Sequence, residues 1–272
     1  MITIHMEFPA HSLKRNISVK VLLPVDSEIE WKNTTVDSAK KFKTLYLLHG
    51  FGGDCSDWLL NTRVYSYAME HNIAVVMPSG ENKFYLDNDI TEEYFSGFIC
   101  KELIEITRAS FPLSEKREDT LIGGLSMGGY GALCNGLKHT EIFGTIIAMS
   151  SALITDNVAK MKKNDRDFMA GYEYYKMVFG DPMQVVGGMT DPRALAKKMV
   201  KENCVRPNIY IACGTDDFVL ELNHQFIETI KQLGIDYTYE EDPGNHDWDF
   251  WDEHIQRALD WYEHISEVKR KE

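Results

Sequence analysis

The stretch I-G-G-L-S-M-G-G-Y-G, residues 122–131, decides how the rest of the chain is interpreted. It places Ser126 between Gly124 and Gly128, after the strand-like E-D-T-L-I-G and before residues that suit a helix. This is the G-x-S-x-G pattern of a strand–turn–helix unit that presents a serine hydroxyl above a sheet. The turn is sharp and strained, so side chains at the two glycines would collide with the neighbouring strand and helix. The pattern predicts that Ser126 is a nucleophile.

Length, composition and charge describe an ordinary globular protein. The chain has 272 residues, of which 44% are hydrophobic and 26% are charged, and this suits one large α/β domain or two small ones. The formal charge of −13 disfavours binding to nucleic acid and to anionic membrane surfaces. No apolar run reaches the roughly 18 residues that a membrane span needs. The first residues also lack the basic start and apolar centre of a signal peptide.

The cysteines favour a reducing compartment. They are five in number, they are scattered, and no two form a C-x-x-C pair. Neither a disulfide framework nor a zinc site is indicated by this spacing. We therefore expect a cytoplasmic protein with reduced thiols.

Alternating strand and helix patterns predict the architecture. Two opening segments, 2–8 and 17–23, have the alternation or β-branched run of antiparallel strands. Helical patterns cover 92–110 and the segment from Trp251 to Ile265. Short apolar segments typical of buried parallel strands lie at 44–48, 73–77, 119–123, 144–149 and 208–213, and 236–240 is suited to close the sheet. Such a chain predicts a mostly parallel sheet with helices on both faces and an active site at the carboxyl ends of the strands.

Residues 150–207 are longer than a crossover between two strands requires. Asp191 followed by Pro192 predicts the start of a helix inside this segment. The segment also contains six methionines, which suit either an adaptable wall over the active site or ordinary core filling. We expect a single domain, 1–272, with a helical cap insertion at about 150–207.

A serine nucleophile needs a histidine base, and the base needs a carboxylate that fixes its tautomer. The acid should follow a strand, and C-G-T-D-D-F (213–218) does so. We favour Asp217 over Asp216 because of its spacing from the strand end. The alternative is a turn in which the aspartates only bond their own backbone.

The base should lie on a loop near the end of the chain. His246 lies in P-G-N-H-D-W, between the last predicted strand and the last predicted helix. His254 and His264 fall within the helical pattern, where we expect them at the surface. The acids and histidines of 246–254 show no recognised metal-ligand spacing, so we expect no metal.

The oxyanion of an acyl-transfer reaction needs two donors. One is the backbone N–H of Met127, directly after the nucleophile. The loop L-L-H-G-F-G-G-D (47–54) follows a predicted strand and offers the N–H of Phe51 as the second. His49 would then be structural and hold this loop. The alternative is a plain glycine-rich turn.

On these motifs the chain resembles the esterase D family of α/β-hydrolases over nearly its whole length. The resemblance runs from L-Y-L-L-H-G-F-G-G through F-Y-L-D (84–87), the serine motif and C-G-T-D-D-F to N-H-D-W-D-F-W. It implies an α/β-hydrolase fold and a triad of Ser126, Asp217 and His246, with Phe51 and Met127 forming the oxyanion hole. It also implies a homo-oligomer. The formylglutathione branch of the family carries a cysteine where this chain has Gly53, so the tributyrin-esterase branch is nearer.

The expected function is that of a serine carboxylesterase. Its substrates would be small esters with short acyl groups, acetyl or butyryl, or cinnamoyl and feruloyl groups on plant carbohydrate, and it would need no cofactor. A thioesterase of the S-formylglutathione type is the first alternative, and an acyltransferase is another. A catalytically inactive binding protein is disfavoured because each triad residue is present.

Overall fold

The computed structural model describes residues 1–25 and 41–271, and a mostly parallel eight-stranded sheet forms its centre. The described strands are β1 (Ile2–Ala10), β2 (Arg15–Leu23), β3 (Lys43–Leu48), β4 (Ile73–Pro78), β5 (Asp87–Asn88), β6 (Glu93–Tyr94), β7 (Thr120–Leu125), β8 (Thr145–Met149), β9 (Asn208–Gly214) and β10 (Thr238–Asp242). The large sheet has the order β1-β2-β4-β3-β7-β8-β9-β10, and β5 and β6 pair separately.

Strand direction follows the sequence pattern. β2 runs antiparallel to both β1 and β4, whereas β4, β3, β7, β8, β9 and β10 run parallel to one another. The antiparallel opening strands and the run of buried parallel strands are therefore confirmed. The closing strand is also present at the edge, although it begins at Thr238 and not at residue 236.

Eleven α-helices lie within the described residues. They are α1 (Asp57–Asn61), α2 (Val64–Glu70), α3 (Phe95–Gly97), α4 (Leu103–Ser110), α5 (Met127–Lys138), α6 (Thr155–Lys160), α7 (Tyr172–Phe179), α8 (Pro182–Val185), α9 (Pro192–Lys201), α10 (Leu220–Gln232) and α11 (Trp248–Lys271). A π-helical turn, Phe98–Glu102, joins α3 to α4. The helix predicted over 92–110 therefore begins later and is not uniform.

The core is divided by the sheet, as alternation along each strand dictates. In β3, Tyr46 and Leu48 belong to the apolar cluster on one face, which includes Leu133 of α5. Leu45 and Leu47 belong to the cluster on the other face, packed with α1, α2 and α11. The predicted placement of helices on both faces is confirmed.

Helices α6 to α9 occupy the long segment between β8 and β9. The Asp191 carboxylate accepts a hydrogen bond from the N–H of Arg193 at 3.0 Å and so caps α9, where the sequence predicts a helix start. Both terminal nitrogens of Arg193 also donate hydrogen bonds to the Asp156 carboxylate at 2.8 Å, and these bonds link α9 to α6. The division of the chain into one domain with an insertion stays a prediction.

Candidate active site

Three loops bring Ser126, His246 and Asp217 together at one edge of the sheet. The loops follow β7, β9 and β10, whose carboxyl ends share that edge because the strands are parallel. His246 Nε2 lies 2.9 Å from Ser126 Oγ, and His246 Nδ1 lies 2.9 and 3.0 Å from the two carboxylate oxygens of Asp217. The three residues predicted as a triad thus form one chain of hydrogen bonds.

Ser126 stands at a strained turn between β7 and α5. Its φ of 51° and ψ of −115° are rare for a residue with a side chain. A Cβ atom at Gly124 would lie 2.6 Å from the carbonyl carbon of Gly128 and 2.7 Å from the oxygen of Leu48. A Cβ atom at Gly128 would lie 2.7 Å from the oxygen of His49. The predicted reason for the two glycines, close approach of a strand and a helix, is confirmed.

The Asp217 carboxylate fixes the tautomer of His246. A carboxylate can only accept hydrogen bonds, so the proton of the neutral ring is on Nδ1 and Nε2 is free to accept from the Ser126 hydroxyl. The Asp217 side chain is fully buried, and burial alone would raise its pKa. Hydrogen bonds from His246 and from the N–H of Val219 at 3.0 Å outweigh burial and hold the pKa of Asp217 below its usual value. Asp216, by contrast, is exposed.

Two residues outside the predicted set support this arrangement. The indole N–H of Trp251 donates to Ser150 Oγ at 3.0 Å. The Ser150 hydroxyl is thereby free to donate to the Asp217 carboxylate, and it contributes to the lowered pKa of that group. The Trp251 ring also packs edge-on against His246 at a centroid distance of 4.9 Å. Ser150 follows β8, the strand between the nucleophile and the acid strands, and that position is the signal that could have identified it.

His49 holds the glycine-rich loop that follows β3. Its Nε2 accepts the N–H of Gly80 at 2.7 Å, so its proton is on Nδ1, which donates to the carbonyl of Gly50 at 2.7 Å. Carbonyl and N–H point in opposite directions across a trans peptide, so this bond turns the N–H of Phe51 away from His49. The Tyr85 hydroxyl donates to the His49 carbonyl at 3.0 Å. Burial lowers the pKa of His49 and favours its neutral ring.

The other predicted oxyanion donor, the N–H of Met127, is at the start of α5. Met127 is the first residue of that helix, and the first N–H groups of a helix have no partner within it. The glycine-rich loop lies directly beside this turn, since a Cβ atom at Gly50 would be 3.6 Å from Ser126 Cβ. The two N–H groups, of Phe51 and Met127, therefore belong to adjacent backbone segments at the serine.

Ser126 and His246 open into a pocket of about 490 Å³. Its walls include two carboxylates, Asp57 and Asp247, and five aromatic side chains, Phe51, Phe168, Phe218, Trp248 and Trp251. Phe168 comes from the segment between β8 and β9 and is 78% exposed, and its ring meets Phe218 edge-on at 5.5 Å. The long segment therefore forms part of the wall of the pocket.

The methionines of that segment have different roles. Met169 lines the pocket, whereas Met199 is on the buried face of α9 and lies in the core. Three of the others are exposed, namely Met177, Met183 and Met189. A methionine-rich wall over the acyl site is thus limited to one residue.

The prediction that His254 is a surface residue is wrong. It is 1% exposed and stacks on Phe250 with ring centroids 3.9 Å apart. His254 lies three residues after Trp251 and four residues before Ala258, so it falls on the apolar face of α11. The helical spacing in the sequence could have shown this. Glu240 and Asp242 face its ring nitrogens at 3.4 and 3.6 Å.

This group is the candidate metal cluster among the described residues, because Glu240, Asp242 and His254 each offer a ligand atom. Arg257 lies beside it, with Nη1 2.8 Å from an Asp242 oxygen. The guanidinium therefore supplies positive charge to these carboxylates. The cluster is also separate from the Ser126 pocket, whose lining it does not share.

The chain is similar to known esterases over most of its length. A family model described as "Putative esterase" matches residues 10–262. The acetyl esterase of Caldicellulosiruptor saccharolyticus is 47% identical over 267 residues, which cover 98% of this chain and 100% of that protein.

Two solved structures from Staphylococcus aureus each cover 96% of this chain and 98% of their own. One is the fluorophosphonate-binding serine hydrolase F, with a TM-score of 0.84 and 30% identity. The other is an S-formylglutathione hydrolase, with a TM-score of 0.81 and 31% identity. These similarities confirm the α/β-hydrolase fold. The chain belongs to this esterase family and is a serine carboxylic ester hydrolase.

Proposed function

We propose that the protein hydrolyses short-chain acyl esters, acetyl esters foremost, with Ser126, His246 and Asp217 as its catalytic triad. The observation that carries the proposal is the continuous hydrogen-bond chain from Ser126 Oγ through the imidazole to the buried carboxylate. The acetyl specificity is supported by the name of the relative that is 47% identical.

In the first half of the reaction, Ser126 Oγ attacks the ester carbonyl while His246 Nε2 takes the hydroxyl proton. The imidazolium that forms is stabilised by the ionised Asp217. The N–H groups of Phe51 and Met127 donate to the oxyanion of the tetrahedral intermediate. The bond to the alcohol then breaks, and His246 returns the proton to the leaving oxygen. An acyl group remains on Ser126.

In the second half, water replaces the alcohol. His246 takes a proton from the water, which attacks the acyl carbonyl. The second tetrahedral intermediate uses the same two backbone donors and then collapses. The carboxylic acid is released, and the proton returns to Ser126.

A thioesterase of the S-formylglutathione type is the second candidate, supported by the structure that is 31% identical. The loop after β3 disfavours it. Gly53 stands where the resembled branch carries a cysteine, and a side chain there would run into the carboxylate of Asp57. We therefore propose esters ahead of thioesters.

A substrate panel tests the proposal. Purified protein is assayed with p-nitrophenyl acetate, p-nitrophenyl butyrate, methyl ferulate and S-formylglutathione. The acetyl and butyryl esters should have the highest kcat/KM, and Ser126→Ala should remove their turnover. Ser66→Ala, on α2 and outside the pocket, is the matched control and should retain it. Preferred turnover of S-formylglutathione would instead support the thioesterase, and full activity of Ser126→Ala would contradict both.

The proposal also includes three expectations, which concern nucleic acid binding, oligomeric state and cellular location. The formal charge of −13 supports the absence of nucleic acid binding. Assembly into a homo-oligomer and a cytoplasmic location stay predictions. Among the described residues, no helix combines the length and the apolar character that crossing a bilayer requires.

A further inference from the structure

The pocket around Ser126 carries two carboxylates that the proposed hydrolysis does not use. Asp57 is the first residue of α1, and Asp247 directly precedes α11. Both line the same pocket as Ser126 and His246. An ester that reaches the serine hydroxyl therefore shares its pocket with two aspartates.

These charges have no lysine or arginine counterpart in the pocket. Among the described residues that line it, none is a lysine or an arginine. The Asp247 carboxylate accepts the N–H of Phe250 at 3.2 Å, which caps the helix and leaves its charge in place. The Asp57 carboxylate lies against Gly53.

The remaining walls strengthen the field of the carboxylates. Aromatic rings of Phe51, Phe218 and Trp248 line the same space. Apolar walls have a low dielectric constant, so charges beside them in a cleft are screened less than charges on an open polar surface. The formal charge of −13 on the whole chain has the same sign.

We propose that Asp57 and Asp247 make this site select its ester substrates by charge, favouring cationic over neutral and neutral over anionic esters. This inference rests on the proposed function, since it concerns esters that reach Ser126. It makes Asp57 and Asp247 specificity-determining residues. It also predicts that an anionic thioester such as S-formylglutathione is a poor substrate.

Three acetates that differ in the charge of the alcohol test the inference. They are 2-(trimethylammonio)ethyl acetate, its carbon isostere 3,3-dimethylbutyl acetate, and 4-acetoxybutanoate, with acid release followed by pH-stat. We expect kcat/KM to fall in that order, by on the order of tenfold or more between the cation and the anion. The difference should shrink when ionic strength rises from about 0.01 M to about 1 M, because salt screens the field.

Charge-removing variants assign the effect to residues. Asp57→Asn and Asp247→Asn should each reduce the cation-to-anion ratio of kcat/KM by roughly three- to tenfold. Asparagine caps a helix about as well as aspartate, so Asp247→Asn should fold even if Asp57→Asn does not. Glu228→Gln removes an exposed charge on α10, outside the pocket, and should change neither the ratio nor the activity.

Equal kcat/KM for the three acetates, or a ratio that neither pocket variant nor salt alters, would overturn the charge selection while leaving the esterase in place. Turnover of none of the three, together with none of p-nitrophenyl acetate, would overturn the proposed function and this inference with it.

Discussion

At the scale of single residues, the end of β9 decides which of two adjacent aspartates faces the histidine. Gly214 is the last residue of the strand, and the chain then turns. The backbone N–H of Asp216 donates to the carbonyl of Gly244 at 3.0 Å, and its side chain is exposed. The next side chain, that of Asp217, points inward to His246.

This difference predicts unequal effects for two conservative substitutions. Asp217→Asn keeps the shape of the side chain but can donate to His246 Nδ1, which favours the wrong tautomer. We expect kcat for p-nitrophenyl acetate to fall by about 10³- to 10⁴-fold. Asp216→Asn should change kcat by less than about twofold, as surface substitutions away from a site usually do. The opposite ranking in steady-state kinetics would assign the acid to Asp216.

The residues brought together here were predictable where a local motif marks them. Ser126, Asp217 and His246 each follow a strand within a recognisable turn. Ser150 also follows a strand, but neither Ser150 nor Trp251 belongs to a recognisable motif, because their contribution is a mutual hydrogen bond between residues 101 positions apart. From the sequence, Trp251 is sufficiently explained as a residue of the apolar face of its helix. Only the fold shows that its indole N–H also donates to Ser150.

At the scale of elements, the site depends on how closely β3, β7 and α5 approach each other. The glycines on either side of Ser126 allow β7 and α5 to lie against the end of β3. Backbone atoms form this contact on both sides, so no side chain can move aside to make room. The strained conformation of Ser126 is held by this packing.

Gly124→Ala tests that approach. Its new methyl would overlap the backbone of Gly128 and Leu48, so we expect a loss of about 1–3 kcal/mol or more in the free energy of unfolding. Gly97→Ala is the control, since Gly97 is helical and a methyl there meets only ordinary contact at 3.5 Å. It should be neutral or should stabilise the protein by about 0.5–1 kcal/mol. Urea unfolding measures both, and equal stability of the two variants would contradict the packing argument.

Elements differed in how well the sequence predicted them. Buried parallel strands are short apolar runs between turns, and the ends of each lie within about two residues of the predicted ends.

In the segment between β8 and β9, only α9 was predicted, because Asp191 and Pro192 mark its start. Helices α6, α7 and α8 have six, eight and four residues. Helices this short depend on tertiary packing and have little periodicity to recognise.

At the scale of the whole molecule, buried histidines couple stability to pH. Burial lowers the pKa of both His49 and His254. At pH values near and below about 6.5 the unfolded chain therefore binds more protons at these rings than the folded chain does. Stability must fall as pH decreases through this range, by up to about 1.4 kcal/mol per pH unit for each histidine.

His254→Gln should make this pH dependence shallower. The variant lacks one ring that the unfolded state protonates more readily than the folded state, so its free energy of unfolding should change less between about pH 7 and about pH 5. His264→Gln, on the exposed side of the same helix, should retain the slope of the unmodified protein. Urea unfolding at several pH values gives the slopes. A slope that is identical in all three proteins would show that His254 is not the coupled group.

The covalent intermediate tests the central claim most directly. Protein mixed with p-nitrophenyl acetate is quenched in acid within milliseconds and digested, and the peptide that contains Ser126 is examined by mass spectrometry. We predict an acetyl group on Ser126 in the unmodified protein and none in Ser126→Ala. Turnover of the ester without acetylation of Ser126, or an acetyl group on another residue that decays at the rate of turnover, would contradict the account.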